Sequence, residues 1–392
     1  MKEIIINYNN QKKDIIVVED GKIVEQYQEL DNNKTLEGNI YLGKVVDVLI
    51  GMQAAFVDIG EDKNAFLHIK DILPKTSNVT GNKNEKLSNR DIRKYIKVGD
   101  PVVVQVKKDK NDTKGARIST DINIAGKYIA LLPNSNFITV SSKIENSDEI
   151  NRLKQIAKKC LNENCGIILR TAAENKNEEA LVEDIENVKA KNSQINNIVK
   201  DSIEKKTFPK KLYEAGGIIN NVLLGLVESC EKVTVNNKEI FNVIKSDYKN
   251  LEKKLTFIKC DNLLDEDLNH QLEKLKNRKI WLNCGGFITI DKTEALTAID
   301  VNTGKYTGKD SLEKTVLKVN EEATIEIAKQ IRARDIGGII IIDYIDMEEK
   351  DSENKIVELM KKELKKDRAK TQVIGFTPLH LLEMTRKHLC SN

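Results

Sequence analysis

Three side chains in one stretch of this 392-residue chain have the types and spacing to hold a divalent cation: Asp300, Asn302 and Asp343. Asp300 and Asn302 stand two apart in TEALTAIDVN, so in an extended chain they fall on one face. Asp343 closes the apolar run in RDIGGIIIIDYIDM. Two carboxylates and an amide oxygen suit Mg²⁺, which takes one or two carboxylates, keeps several waters and meets substrate phosphate in the remaining positions. The chemistry this predicts is phosphodiester hydrolysis, with Lys305 and Lys309 screening phosphate from the loop that follows. Acidic residues at strand ends also cap turns, and spacing by itself leaves both readings open. Two further groups carry chemistry. Arg170-Thr171 sets a guanidinium fork beside a hydroxyl, a phosphate grip. Phe56 and Phe66, near Lys107, Lys108, Lys110 and Lys114, combine stacking faces with positive charge, as single-stranded nucleic acid requires.

The elements that must position the first group follow from pattern. Phe287–Ile290 and Leu296–Val301 are β-branched runs joined by the polar break 292–294, which predicts a hairpin. In the second strand Leu296, Ala298, Asp300 and Asn302 share one face, and Thr297, Ile299 and Val301 the other. Leu312, Val316, Val319, Ala323, Ile327 and Ile331 recur at helical spacing, Asp310 and Glu313 mark the start, and Gly337-Gly338 the stop. Ile339–Ile342 is then a short buried strand that delivers Asp343 to its end. Asp346 falls on the opposite side while the extended phase holds, so Asp343 is the expected partner of Asp300.

Earlier in the chain, residues 3–6, 14–19 and 22–27 read as strands, with Asp20-Gly21 as a hairpin turn. From Gly38 to about Thr120, five short strands broken by polar turns predict a small barrel of the OB type. In it Phe56 and Phe66 fall on the polar side of their strands, although a barrel mouth or a domain interface would also accept them. Residues 76–89 read as a polar loop. Between 121 and 208, helices are expected at 149–160 and 178–197 and a strand at 165–171. From 207 to 279 the pattern predicts a charged helix, then strands at 232–235 and 254–259 with helices from 238 and over 265–276. Residues 351–366 form a charged amphipathic helix.

The stretch 285–347 resembles the nuclease subdomain of the ribonuclease E/G family, since TEALTAIDVN and RDIGGIIIIDYIDM match that family's signatures in order with the helix between them. GNIYLGKV, AAFVDIG, AFLH and TKGAR resemble its S1-type RNA-binding domain, and GIILRTAA its 5′-sensing pocket. The resemblance implies an α+β multidomain fold: an RNase H-like domain from 1–35 and 209–280, an inserted S1-type OB-fold barrel over 36–120, a 5′-sensor domain over 121–208 and a DNase I-like α/β nuclease subdomain over 281–392. It implies a Mg²⁺-dependent, single-strand-specific endoribonuclease of rRNA and tRNA maturation and mRNA turnover. Such an enzyme leaves 5′-phosphate and 3′-hydroxyl ends and favours RNA with a 5′-monophosphate. Asp300 and Asp343 would be the metal ligands, with Asn302 orienting the first. Phe56, Phe66, Lys114 and Lys305 would contact RNA, and Arg170 and Thr171 would hold the terminal phosphate. The sequence departs from the family at Lys370, where an arginine is expected, at Ser142-Lys143, where a basic pair is usual, and at His380, where glycine is common. The closing FTPLHLLEMTRKHL resembles the family's terminal helix.

Charged residues are 32% and the net charge is +3, so any nucleic-acid site must come from where charge sits, not from its total. No window holds the roughly 18 apolar residues of a membrane span and no signal-peptide core opens the chain, which predicts a cytoplasmic protein. The six cysteines include no CxxC pair and are expected to be reduced. Family members link two protomers through a CPxC-type motif and one zinc. Here Cys390 stands alone near the terminus, so no zinc link is expected and a homodimer would rest on protein contacts. Two other functions compete: a catalytically weak or inactive RNA-binding protein on the same scaffold, and a metal-dependent phosphatase, which would not use the barrel's aromatic pair.

Overall fold

The structure, a computed structural model, describes residues 1–9, 12–30, 35–72, 91–110, 113–161, 165–248, 251–304 and 312–389. In chain order come strands β1 (Lys2–Asn9), β2 (Lys12–Glu19), β3 (Lys22–Leu30), β4 (Ile40–Leu49), β5 (Ala54–Asp58), β6 (Ala65–His68), β7 (Pro101–Lys108), β8 (Arg117–Ser119), β9 (Ile124–Ala125), β10 (Ile129–Leu132) and β11 (Ile138–Val140). Helix α1 (Ser147–Cys160), β12 (Gly166–Leu169), α2 (Glu178–Glu204), β13 (Lys210–Tyr213), α3 (Gly217–Leu226), β14 (Lys232–Val235), α4 (Lys238–Asp247), β15 (Leu255–Phe257) and α5 (Glu266–Leu275) follow. The chain ends through β16 (Lys279–Trp281), β17 (Phe287–Lys292), β18 (Leu296–Asn302), α6 (Leu312–Ala333), β19 (Gly338–Asp343), α7 (Lys350–Leu364), β20 (Thr371–Phe376) and β21 (Leu381–Arg386). Among the described residues no helix is long and apolar enough to cross a membrane.

These elements form two compact units, Met1–Asn33 with Ser229–Cys390, and Lys34–Glu228. The first unit has two sheets. One runs β15-β14-β1-β2-β3, in which β1 pairs parallel to β14, so the first residues of the chain complete a sheet begun more than two hundred residues later. Four consecutive buried residues in β1 and in β2 mark strands covered on both faces. The other sheet runs β16-β17-β18-β19-β21-β20. Its buried face presents Ile288, Ile299, Val301, Ile340 and Ile342 to Val319, Ala323, Ile327 and Ile331 of α6, and Ile356, Met360 and Leu364 of α7 join the same core.

In the second unit β4, β5, β6, β8 and β7 form a barrel closed by the β4–β7 pairing, with β13 added on the free side of β4. Its five strands fit an OB fold. A four-stranded sheet, β11-β12-β10-β9, packs with α1 and α2 beside it.

Three expectations are corrected. The carboxyl-terminal FTPLHLLEMTRKHL is not a helix: β20 and β21 form an antiparallel hairpin, because the edge of β19 needs a hydrogen-bonded partner and Leu382, Met384 and Arg386 bury at a period of two. Its turn holds His380 at φ +59°, the left-handed region where glycine is the easier residue. The segment from 207 is not a charged helix. Lys210–Tyr213 joins the barrel sheet at its edge, where lysines suit a strand, and the helix that follows is the apolar α3, so 209 does not begin the part that pairs with β1. Between 121 and 140, within the stretch expected to mix helix and strand, three short strands stand where no element had been assigned. The loop at 76–89 and Lys305, Lys309, Asp310 and Cys390 lie outside the described residues.

Candidate active site and nucleic-acid contacts

The register of one sheet assembles the acidic group. β18 and β19 run parallel, and Asp300 is the direct partner of Asp343 at the end of the ladder. Residues opposite each other on neighbouring strands share a face, so both carboxylates leave the sheet on the side away from α6. Both are exposed, while Ile299, Val301 and Ile342 between them are buried. Asn302, next on that face, donates from Nδ2 to Asp300 Oδ2 at 2.6 Å. Burial raises the Asp343 pKa, and the negative charges of Asp300 and then Asp346 raise it further. The strand stops at Asp343, the two-residue phase stops with it, and the exposed Asp346 adds its charge to the same locality. Among the described residues no group of three or more His, Cys, Asp or Glu side chains is arranged to hold a metal ion.

Helix α6 fixes the backbone around these residues through polar groups on its buried face. Asn320 is fully buried; it donates to the Ile345 carbonyl at 2.9 Å and accepts from the Ile345 amide at 3.2 Å. Thr324, one turn on, meets the Tyr344 hydroxyl at 2.8 Å. The segment just after Asp343 is thus held on both sides. Glu322 accepts from the Asn283 and Cys284 amides, the latter at 3.1 Å, and pins the turn before β17. Two glycines permit the close packing there. A Cβ on Gly286 would sit 2.8 Å from the Asn302 carbonyl oxygen, and one on Gly304, at φ +59°, would sit 2.4 Å from that of Gly285. Asn320, Glu322 and Thr324 were not singled out from sequence. The legible signal was an Asn and a Thr four apart on the apolar stripe of an amphipathic helix, where polar groups need partners.

In the barrel, Phe56 and Phe66 are direct cross-strand partners, half-buried, with ring centroids 6.0 Å apart at 64°. His68 lies 6.4 Å from Phe66. Phe66 also pairs with Arg117 on β8, whose guanidinium holds Asp71 at 2.9 Å. Lys70, Lys107, Lys108 and Arg117 line a groove of about 410 Å³ with Asp71, Ser119 and Asp121. Lys114 is exposed. The third group lies at the end of β12 in the same unit. Arg170 Nη1 donates to the Gly126 carbonyl at 2.8 Å, and Thr171 Oγ1 lies 2.9 Å from Ser141 Oγ. Thr171 is exposed at the first position of a short turn of helix.

Comparison with known proteins agrees with these features. Residues 123–389 match the model of the "Ribonuclease E/G family", and residues 34–121 match that of the "S1 RNA binding domain". Ribonuclease G of Salmonella typhimurium (strain SL1344) is 36% identical over 395 residues, covering 98% of this chain and 79% of that protein. Ribonuclease G of Escherichia coli (strain K12) is 36% identical with the same coverage. A protein described as a putative ribonuclease E, from Buchnera aphidicola subsp. Baizongia pistaciae, is 36% identical over 402 residues, covering all of this chain and 96% of that protein.

Proposed function

The chain belongs to the ribonuclease E/G family and is an endoribonuclease, and from that premise we propose that it cuts single-stranded RNA in a Mg²⁺-dependent reaction during rRNA and tRNA maturation and mRNA turnover in the cytoplasm. The products would carry 5′-phosphate and 3′-hydroxyl ends, and RNA with a 5′-monophosphate would be preferred. On this reading the six-stranded sheet is the DNase I-like nuclease subdomain and the sheet built on β1 the RNase H-like one.

The observation that carries the proposal is the pairing of Asp300 with Asp343 at adjacent parallel strand ends. Like charges held in register, strongly enough to raise the Asp343 pKa after burial has done so, are an arrangement that a cation relieves. The two carboxylates and the Asn302 amide make a donor set that fits Mg²⁺, which leaves much of its shell to water and substrate. Bound there, the ion supplies Lewis acidity to the phosphodiester and activation of the water nucleophile. The residues of the chain do the positioning. Asn302 holds the Asp300 carboxylate through its Nδ2 donor, and Asn320 and Thr324 keep the backbone beyond Asp343 in place. Lys305 would meet RNA from the loop after Asn302.

The direct test is incubation with a fluorescent single-stranded oligoribonucleotide bearing a 5′-monophosphate, beside its 5′-hydroxyl twin. Internal cleavage should require Mg²⁺, stop on chelation and run faster on the phosphorylated strand. Failure of any divalent ion to support cleavage would remove the proposal. Arg170→Ala provides an internal control. A guanidinium bonded to phosphate is worth roughly 1.5–3 kcal/mol, so the variant should slow the phosphorylated substrate about tenfold or more and leave the hydroxyl one as it was. Equal loss on both would make Arg170 a fold contact, as its bond to Gly126 also allows.

For the barrel, Phe56→Ala with Phe66→Ala should weaken single-stranded RNA binding by roughly 1–3 kcal/mol for each stacked base lost. Both residues are half-buried and neither belongs to the barrel's buried core cluster, so the melting temperature should move little. A large fall in melting temperature at unchanged RNA affinity would return both rings to a packing role.

A further inference from the structure

We infer that Lys279, Trp281 and Phe287 form a base-stacking subsite for RNA on the face of the nuclease sheet that carries Asp300 and Asp343; the inference rests on the endoribonuclease reading and locates a part of the substrate beside the scissile phosphate. Strand register brings these residues to the carboxylates. Across β16, β17, β18 and β19 one row runs Lys279, Thr289, Asp300, Asp343, and the next runs Trp281, Phe287, Asn302. Directly opposed residues share a face, so both rows lie on the side of the carboxylates. Neighbouring strands are roughly 4.8 Å apart, which puts the β16 backbone about 10 Å from that of β18. A nucleotide flanking the bond to be cut spans that gap.

Composition of the patch argues for a nucleobase. Trp281 is 62% exposed, although the core of this sheet is supplied from the other face by Ile288 and Ile290. Packing does not need the indole. The Trp281 and Phe287 rings meet edge to face, 5.3 Å between centroids at 63°, and the tryptophan still keeps most of its surface in solvent. The Lys279 ammonium lies 4.2 Å from the Trp281 centroid and 3.5 Å from that of Phe287, which fixes the rings and brings positive charge to them. Stacking rings beside a cation are the recurrent device for single-stranded nucleic acid, and they tolerate sequence because every base has a π-face.

Trp281 is the only tryptophan in the chain, so its emission reports on the site without a label. In the Asp300→Asn protein, titration with a short single-stranded oligoribonucleotide should quench that emission to saturation. In the otherwise native protein Trp281→Ala should raise KM about tenfold and lower kcat far less, with most of the loss recovered in Trp281→Phe. If emission ignores saturating RNA and Trp281→Ala leaves KM within about twofold while the native protein still cleaves, the subsite is overturned and the endoribonuclease reading stands. If light scattering shows instead that Trp281→Ala lowers the molecular mass without changing RNA affinity, the patch joins two copies of the chain and the inference is equally lost. Absence of cleavage by the native protein with any divalent ion would sink both.

Discussion

Asp300→Asn and Asp343→Asn should each lower kcat by about a thousandfold or more, with RNA affinity within a fewfold of the native protein. The size follows from the chemistry removed: a cation at a phosphodiester supplies several kcal/mol of charge stabilisation, and each 1.36 kcal/mol is tenfold in rate. Folding should survive, since both carboxylates are exposed at strand ends and asparagine keeps their shape. The Asn302 donor that reaches Asp300 Oδ2 still finds a carbonyl oxygen in the asparagine variant, so the local hydrogen bond is kept while the charge is lost. Asp346→Asn is the informative control. It removes a like charge felt at Asp343 from beyond the end of the strand, and should cost less than tenfold. Steady-state cleavage of a single-stranded oligoribonucleotide, with affinity measured separately by anisotropy, decides the matter. An Asp346→Asn protein as inactive as Asp343→Asn would falsify the two-carboxylate site and require a third ligand.

The candidate row of Asp300, Asn302 and Asp343 was legible because each of its parts obeys a local rule. TEALTAIDVN alternates apolar and polar residues and so fixes which face Asp300 and Asn302 share; GGIIIID is too short and too β-branched for a helix. What local rules could not supply was pairing. Lys279–Trp281 is a strand of three residues, and only its ladder with β17 reveals that Trp281 stands in the row of Asn302. The same gap explains Leu381–Arg386, whose apolar spacing suits a helix turn as well as a strand. The open edge of β19 decides in favour of the strand. Lys210–Tyr213 opens on two lysines and reads as surface, and its role as an edge strand depends on β4, far away in sequence.

Arg386→Met should destabilise the unit that contains the β16–β21 sheet by about 3–5 kcal/mol, because it leaves two carboxylates buried without a cation. The Arg386 side chain is fully buried in β21. Its Nε donates to Asp367 at 2.6 Å and its Nη1 to Asp335 at 2.7 Å and to the Ile336 carbonyl at 3.0 Å. Burial alone would lower the guanidinium pKa, but Asp367 and Asp335 outweigh it and hold it above its ordinary value. One side chain thereby joins β21 to the segment after α6 and to the turn after α7. Arg386→Lys keeps a charge but loses the planar fork, and should fall between the native protein and Arg386→Met. Adding Asp335→Asn and Asp367→Asn to Arg386→Met should recover part of the loss, since the uncompensated charges go with the cation. At 2–4 °C per kcal/mol for a body of this size, the single variant should melt roughly 10 °C lower. Catalysis tests whether the effect stays local. Arg386 pairs with Gly338 and Leu381 with Asp343, so the clamp stands five residues of β21, about 17 Å of strand, from Asp343. Below its melting transition the variant should therefore cleave RNA within about threefold of the native rate, and a collapse of kcat at a temperature where the fold is intact would mean that strain at one end of β19 reaches Asp343 at the other.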